Sequence, residues 1–130
     1  MIRYPIAIEI GNEATAFGVI VPDLVGCFSA GDTLDEAIDN AKEAITLHID
    51  GLLDDNETIP TPSPVSRYSL LAEYAGYIWA IVEIDPAILD DKAERVNITL
   101  PRRVLARLDA KAKEAGETRS GYIARLSIGA

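Results

Sequence analysis

The chain of 130 residues contains one cysteine, one histidine and no apolar run long enough to cross a bilayer. A lone cysteine excludes an internal disulfide, and low cysteine usage fits a reducing compartment such as the cytoplasm. The N-terminus also lacks a signal-peptide pattern, so we expect a cytoplasmic protein with no membrane segment. The chain shows no internal repeat and no low-complexity tract. Its length suits one medium domain or two small ones.

Basic side chains are scarce in the first 90 residues. That part holds three of them, Arg3, Lys42 and Arg67, against sixteen acidic residues, for a net charge of −13. Residues 91–130 hold nine basic and five acidic residues, for a net charge of +4. The opposite signs predict two partners, a polyanion for the C-terminal part and a basic partner for the N-terminal part. The alternative for the N-terminal excess is that acidity only maintains solubility.

The C-terminal part begins with residues 94–100, ERVNITL, which alternate strictly between polar and apolar side chains. A period of two predicts a strand with one buried and one solvent-exposed face. Pro101 ends the strand and suits the start of a helix. The apolar set is Val96, Ile98 and Leu100, and the polar set is Arg95, Asn97 and Thr99.

Two helices are predicted after this strand. Gly116 is a natural residue to follow the first helix, and Thr118 can cap the second. One strand and two helices hold too few large apolar side chains to close a core alone. We therefore expect a second copy of the chain, with two strands pairing into an antiparallel ribbon above four helices.

The N-terminal part predicts three short antiparallel strands, at residues 2–10, 15–21 and 27–30, followed by a long helix. Pro5 indicates an edge or a bulge near the start of the first strand. Thr33 and Glu36 form a capping box that opens the helix, which should end near residue 54. A proline-rich extended connector then leads to residues 77–84, which are apolar on both faces and predict an interior strand.

Two family resemblances follow from these patterns. Residues 94–130 resemble the ribbon-helix-helix family of DNA-binding dimers. Residues 21–63 resemble the N-terminal domain of HicB-type antitoxins, through VPDLVGC, GDTLDEA, NAKEAI and IPTPS, and with the flanking strands this resemblance spans about residues 1–85. Together they imply an α+β chain. Residues 1–90 would form a degenerate ribonuclease-H-like antiparallel sheet with one long helix, and residues 91–130 a ribbon-helix-helix dimerisation module.

The resemblance also implies a function with two tasks. The N-terminal domain would bind and block a HicA-like toxin, a small basic mRNA-cleaving protein, and the C-terminal domain would bind operator DNA and repress the operon. The chain would form a homodimer through its C-terminal module, and a tetramer through N-terminal contacts is compatible with the family. No cofactor, metal or enzymatic activity is implied. The resemblance does not assign the toxin-binding residues beyond the acidic N-terminal domain.

By resemblance, the base-reading positions are Arg95, Asn97 and Thr99. Arginine suits guanine, asparagine suits adenine, and threonine suits several partners. An ordinary solvated strand face is the alternative interpretation.

Thr118, Arg119 and Ser120 lie at the predicted start of the last helix, where free N–H groups and the helix dipole favour a phosphate. Simple capping by Thr118 is the alternative. Gly121, in the first turn, is a poor helix former for which only a close backbone approach offers an explanation.

Two other functions stay open on the sequence alone. One is a stand-alone ribbon-helix-helix transcriptional regulator whose N-terminal domain oligomerises or senses a ligand. The other is a metal-dependent nuclease, which would need several carboxylates at one site. Its candidates are Asp23, Asp32, Asp35 and Glu36, although a turn and a helix start explain the last three better.

His48 and Cys27 carry no pattern of a ligand or a nucleophile. His48 lies on the apolar stripe of the long helix and is predicted to be a packed or boundary residue. Cys27, between Gly26 and Phe28, is predicted to be a small core residue.

Overall fold

A computed structural model describes residues 1–129. Contacts divide the chain into two compact units, one of residues Met1–Asp91 and a second that begins at Lys92. The fold is mixed α+β, with a four-stranded antiparallel sheet and three α-helices among the described residues. Within this part of the chain, no helix combines the length and the apolar character that a bilayer crossing requires.

The first unit contains the sheet and one long helix. Its strands are β1 (Ile2–Glu9), β2 (Phe17–Ile20), β3 (Phe28–Gly31) and β4 (Ile78–Ile84), arranged in the order β3-β2-β1-β4. The helix, α1 (Leu34–Asp54), follows β3 directly. Three short 3-10 turns complete the unit, at Val65–Arg67, Ala72–Tyr74 and Pro86–Leu89.

Local signals in the sequence set the limits of α1. The Thr33 hydroxyl accepts a hydrogen bond from the Glu36 backbone N–H at 3.1 Å, which confirms the predicted cap. The helix ends at Asp54, where the sequence predicts its end. Its buried stripe packs with alternate residues of β1 to form the core of the unit. The stripe consists of Ala37, Ala41, Ile45 and Ile49, and the β1 residues are Tyr4, Ile6 and Ile8.

Pro5 lies in β1, which has a strand on each side. However, β2 pairs only with residues Ala7 to Glu9, so the part of β1 around Pro5 has β4 as its sole partner strand. This local edge agrees with the expectation for a proline in a strand.

The prediction of an interior strand at residues 77–84 is wrong. β4 pairs with β1 alone and forms an edge of the sheet. Its apolar residues occur on both faces because Val82 and Ile84 face the α1 core while Trp79 packs against other aromatic rings. A strand with both faces covered has the same pattern wherever it lies in a sheet, so the pattern does not distinguish an edge from the centre.

The second unit contains α2 (Arg102–Glu114) and α3 (Arg119–Ile128). Pro101 occupies the position just before the first residue of α2, and Gly116 follows the helix with φ +69°, a conformation that favours glycine. Both positions confirm the sequence-based boundaries. Between residues 92 and 129 the one buried side chain is Ala112, so a single copy of this unit has almost no core.

Candidate functional site

Residues 93–100 form a segment of the second unit in which every residue but the half-buried Leu100 is exposed. They make no strand pairing with any other part of residues 1–129, so the predicted strand is not formed within one chain. A strand is assigned only where it pairs with another strand, and the prediction places that partner strand on a second copy of the chain. Arg95, Asn97 and Thr99 are all solvent-exposed on this segment.

The apolar residues of the same segment are exposed as well. Val96 is 73% and Ile98 63% exposed. They line a cleft of about 690 Å³ against α3, together with Ser120, Ile123 and other residues. A second apolar groove, of about 320 Å³, runs between α2 and α3. Arg95 lines the same cleft as Val96 and Ile98, and neither the apolar nor the polar set is buried within one chain.

At the start of α3 the cap is formed as predicted. The Thr118 hydroxyl accepts a hydrogen bond from the Gly121 N–H at 3.1 Å. A Cβ at Gly121 would lie 3.1 Å from that same hydroxyl oxygen, a tight contact, although Glu36 carries a side chain at the equivalent position of the Thr33 cap. Ser120 is exposed and faces the cleft that Val96 and Ile98 line.

Arg119 is engaged by a residue that the sequence analysis did not consider. Its Nε and one terminal nitrogen donate to the two carboxylate oxygens of Asp109 at 2.8 and 2.9 Å, a bidentate ion pair between α3 and α2. The hydrogen bond from Arg119 lowers the pKa of the Asp109 carboxyl, and Asp109 raises the pKa of the guanidinium. In this conformation a phosphate would have to compete with Asp109 for Arg119.

A second ion pair links Glu117, which lies just before α3, to Arg125 in the last turn of that helix. The Arg125 Nε donates to a carboxylate oxygen of Glu117 at 2.7 Å, while its guanidinium lies 5.0 Å from the centre of the Tyr122 ring. The pair fixes the loop before α3 against the helix.

In the first unit, Asp23 holds residues 55–77, the segment between α1 and β4 that we call the connector. Its carboxylate accepts a hydrogen bond from the Ser63 N–H at 2.8 Å and another from the Tyr68 hydroxyl at 2.6 Å. Burial, followed by the bond to Asp23, raises the pKa of Tyr68. The role of Asp23 is therefore structural, and no sequence signal links it to partners 40 and 45 residues away.

The other carboxylates considered for a nuclease lie near the start of α1. Asp32, Asp35 and Glu36 are all exposed, and the last two occupy the first turn of the helix. Over residues 1–129, these residues and Asp23 do not form a group of three or more side chains that could hold a metal ion.

Cys27 and His48 lie where the sequence predicts. Cys27 is 4% exposed in the core, and burial raises the pKa of its thiol. His48 is half-buried on α1. Cys27 lacks the exposure of an activated cysteine nucleophile.

An aromatic cluster on the sheet was not predicted. The rings of Tyr68 and Trp79 stack with their centres 6.3 Å apart, and Tyr74 meets Trp79 edge-on at 5.2 Å. Tyr4 of β1 also contacts the connector, because its hydroxyl donates a hydrogen bond to the Pro60 carbonyl at 2.6 Å. These contacts fasten the connector to the sheet. They join residues distant in sequence, so periodicity gives no sign of them.

Comparisons with known proteins agree over nearly the whole chain. The profile of a family described as "HicB_like antitoxin of bacterial toxin-antitoxin system" matches residues 4–127. A protein of Haemophilus phage HP1, described as an uncharacterized 14.9 kDa protein in the rep-hol intergenic region, is 44% identical over 95% of this chain and 93% of its own length. Antitoxin HicB of Escherichia coli (strain K12) is 32% identical over 55% of this chain and 51% of that antitoxin.

Solved structures give the same result. The crystal structure of the Burkholderia pseudomallei antitoxin HicB has a TM-score of 0.64 and 41% identity, covering 99% of this chain and 98% of that one. A chain from a HicA3 and HicB3 toxin-antitoxin complex has a TM-score of 0.54 and 39% identity, covering 65% of this chain and 99% of that one. On this evidence, the chain belongs to the HicB-like antitoxin family of bacterial toxin-antitoxin systems.

Proposed function

We propose that this chain is an antitoxin with two binding tasks. Its N-terminal part, residues 1–90, binds and inhibits a HicA-like mRNA-cleaving toxin. Its C-terminal part, residues 91–130, binds operator DNA as a dimer and represses the operon. The observation that carries the proposal is the contrast between the two parts, since the first is acidic and closes its own core, whereas the second is basic and buries one side chain.

The dimer is proposed from the exposed apolar surface of the second unit. Val96 and Ile98 are exposed on a segment without strand pairing and line an open cleft against α3. A second copy of the segment, paired antiparallel, would satisfy the backbone and cover this row. That arrangement is the ribbon-helix-helix module that the sequence resembles. Burial of both side chains would contribute about 1.5–3 kcal/mol for each one.

The same pairing would place the polar row outward. In a strand, Arg95, Asn97 and Thr99 project opposite to Val96 and Ile98, so a ribbon would present six such side chains on one face. We propose that this face enters the major groove and that these residues contact base edges. Their exposure in the single chain supports this assignment.

Phosphate contacts are proposed at the start of α3, from Thr118, Arg119 and Ser120. The remaining free N–H groups of the first turn and the helix dipole would favour an anion there. The Asp109–Arg119 ion pair adds a condition to phosphate binding at this site. Arg119 would need to leave Asp109 or be shared between the carboxylate and the phosphate.

Toxin inhibition is proposed for the first unit. Family membership supports it, as does the net charge of −13 over residues 1–90, which suits a basic partner. The sheet with one long helix on its face is compatible with the degenerate ribonuclease-H-like fold that the resemblance implies. We assign no catalytic role to its carboxylates.

Co-expression with a HicA-family toxin from the same genome tests the proposal. We expect the toxin to co-purify with the chain and its RNA cleavage to be lost in the complex. A gel-shift titration with DNA from upstream of the gene tests the second task. An operator shift without toxin binding would instead favour a stand-alone regulator. RNA cleavage by the chain alone with Mg²⁺, removed by carboxylate substitution, would favour the nuclease.

A further inference from the structure

One row of side chains crosses the whole sheet on the face away from α1. Trp79 pairs with Ala7, Ala7 with Ile20, and Ile20 with Phe28. Paired residues of neighbouring strands project from the same face, and successive residues alternate. Because Val19 belongs to the core beneath α1, the row that contains Ile20 lies on the opposite face.

The connector covers only one end of this row. The rings of Tyr68 and Tyr74 cover Trp79. At the other end Phe28 is 64% exposed, and Val25, in the loop before β3, is 92% exposed. These two residues line a shallow cleft of about 200 Å³ to which Ile20 and Tyr74 also contribute. An aromatic group left open beside a rigid sheet resembles the centre of many protein interfaces.

A carboxylate borders this apolar surface. Glu9 follows Ala7 by two residues on β1, so it projects from the same face, and it pairs with Gly18. An oxygen of Glu9 lies 4.0 Å from the position that a Cβ of Gly18 would occupy. Gly18 adds no side chain between Glu9 and the β3 residues on this face, Phe28 and Ala30.

None of the three basic side chains of residues 1–90 pairs with Glu9, although Arg3 projects from the same face at the other end of β1. Arg3 pairs with Glu83, and Arg67 contacts the Ser63 hydroxyl and the Tyr68 ring. Lys42 lies on α1, which packs on the other face of the sheet. This face thus combines exposed apolar side chains with the Glu9 carboxylate, which has no ion-pair partner within residues 1–129 and accepts a long 3.5 Å contact from the Tyr77 hydroxyl.

We propose that the HicA-like toxin docks on this surface, which we call the apolar platform and define as Ile20, Val25, Phe28, Tyr74 and Glu9. The inference rests on the proposed function and identifies the part of the first unit that carries it. The partner's chemistry is a basic protein that places an apolar side chain against Phe28 and a lysine or arginine against Glu9. A second copy of this face is a poorer occupant, because two acidic units would bring like charges together.

The test is titration calorimetry of the full chain with an inactive HicA-family toxin from the same genome. Phe28→Ala should raise Kd by at least about 10-fold, as truncation of an interface anchor does. Glu9→Lys should also raise Kd and should reduce the salt dependence of binding. Matched controls on α1 are Leu47→Ala, at a residue that is 49% exposed, and Glu43→Lys, which reverses an exposed charge; both should leave Kd unchanged.

The outcomes separate this inference from the proposed function. If the unsubstituted chain binds no toxin, the proposed function fails and the platform fails with it. If that chain binds toxin and Phe28→Ala binds equally well, only the platform is overturned. A change in the mass of the free chain on Phe28→Ala would mark the surface as a contact between copies and would also overturn it. Should Phe28→Ala unfold, Val25→Asp at the exposed loop carries the same prediction.

Discussion

At the scale of single residues, long-range polar contacts decide which side chains are available to a partner. Arg119 and Asp109 are ten residues apart, and Asp23 and Tyr68 are 45 apart. Sequence reasoning identified Arg119 and Asp23 as chemically interesting but could not find their partners, because helix and strand periodicities relate only near neighbours. The cap at Thr118, by contrast, is a local signal, and it was predicted correctly.

Substitution of Asp109 tests whether it restrains Arg119. Asp109→Asn removes the carboxylate that holds the guanidinium, so we expect operator affinity to rise several-fold as Arg119 becomes free for a phosphate. Fluorescence anisotropy with an operator duplex measures the change. Glu114→Gln is the matched control, since it removes one exposed negative charge from the same helix. An equal gain from both variants would show a general charge effect and no restraint of Arg119.

Arg95 and Asn97 are expected to read bases. Arg95→Ala or Asn97→Ala should weaken operator binding by about 1–3 kcal/mol, because each removes hydrogen bonds to a base edge. Both side chains are exposed, so the fold should be retained. Lys113→Ala, which removes one exposed charge near the end of α2, is the control for non-specific attraction. Unchanged affinity in a titration of both variants would remove these residues from the interface.

At the scale of elements, the sequence predicts helices better than it predicts the position of strands. The start and end of α1 follow from Thr33, Glu36 and the spacing of its apolar stripe, all of which are local. The position of β4 in the sheet does not follow from local signals, because strand order depends on which distant segments pair. Consequently the apolar run of residues 77–84 gave the right element and the wrong location.

The connector between α1 and β4 is held by hydrogen bonds that depend on pH. Burial and then the bond to Asp23 raise the pKa of Tyr68 above its ordinary value of 10.0. The folded state therefore holds this proton more tightly than the unfolded state does. The resulting stability is complete below about pH 10 and is lost as the pH rises through the folded-state pKa.

Tyr68→Phe removes this bond. We expect the free energy of unfolding to fall by about 0.5–1.5 kcal/mol at pH 7, and the loss of stability above pH 10 to become shallower. Urea denaturation at pH 7, 9 and 10.5 provides the measurement. Tyr77→Phe is the control, since its hydroxyl makes only a 3.5 Å contact with Glu9. Identical pH curves for both variants would contradict a special role for Tyr68.

At the scale of the whole molecule, the two units should differ in how their stability depends on concentration. The first has a closed core, whereas the second should be completed by another copy. Unfolding of the second unit should therefore shift to higher temperature as the protein concentration rises, while unfolding of the first should not.

A charge within the proposed dimer contact tests the same point. Ile98→Asp should convert the chain to a monomer in sedimentation experiments, because it would bury an unpaired carboxylate beside Val96. Leu47→Asp, on the exposed side of α1, should leave the mass unchanged. A second unit that stays folded and monomeric at high concentration would overturn the dimer.

The burial of Cys27 has a practical consequence. It is the sole thiol of the chain and is 4% exposed within the core of the first unit. A maleimide dye added under native conditions should therefore react slowly with Cys27, and unfolding of the first unit should speed the reaction. The single native thiol thus reports on unfolding of the first unit, and no engineered cysteine is required.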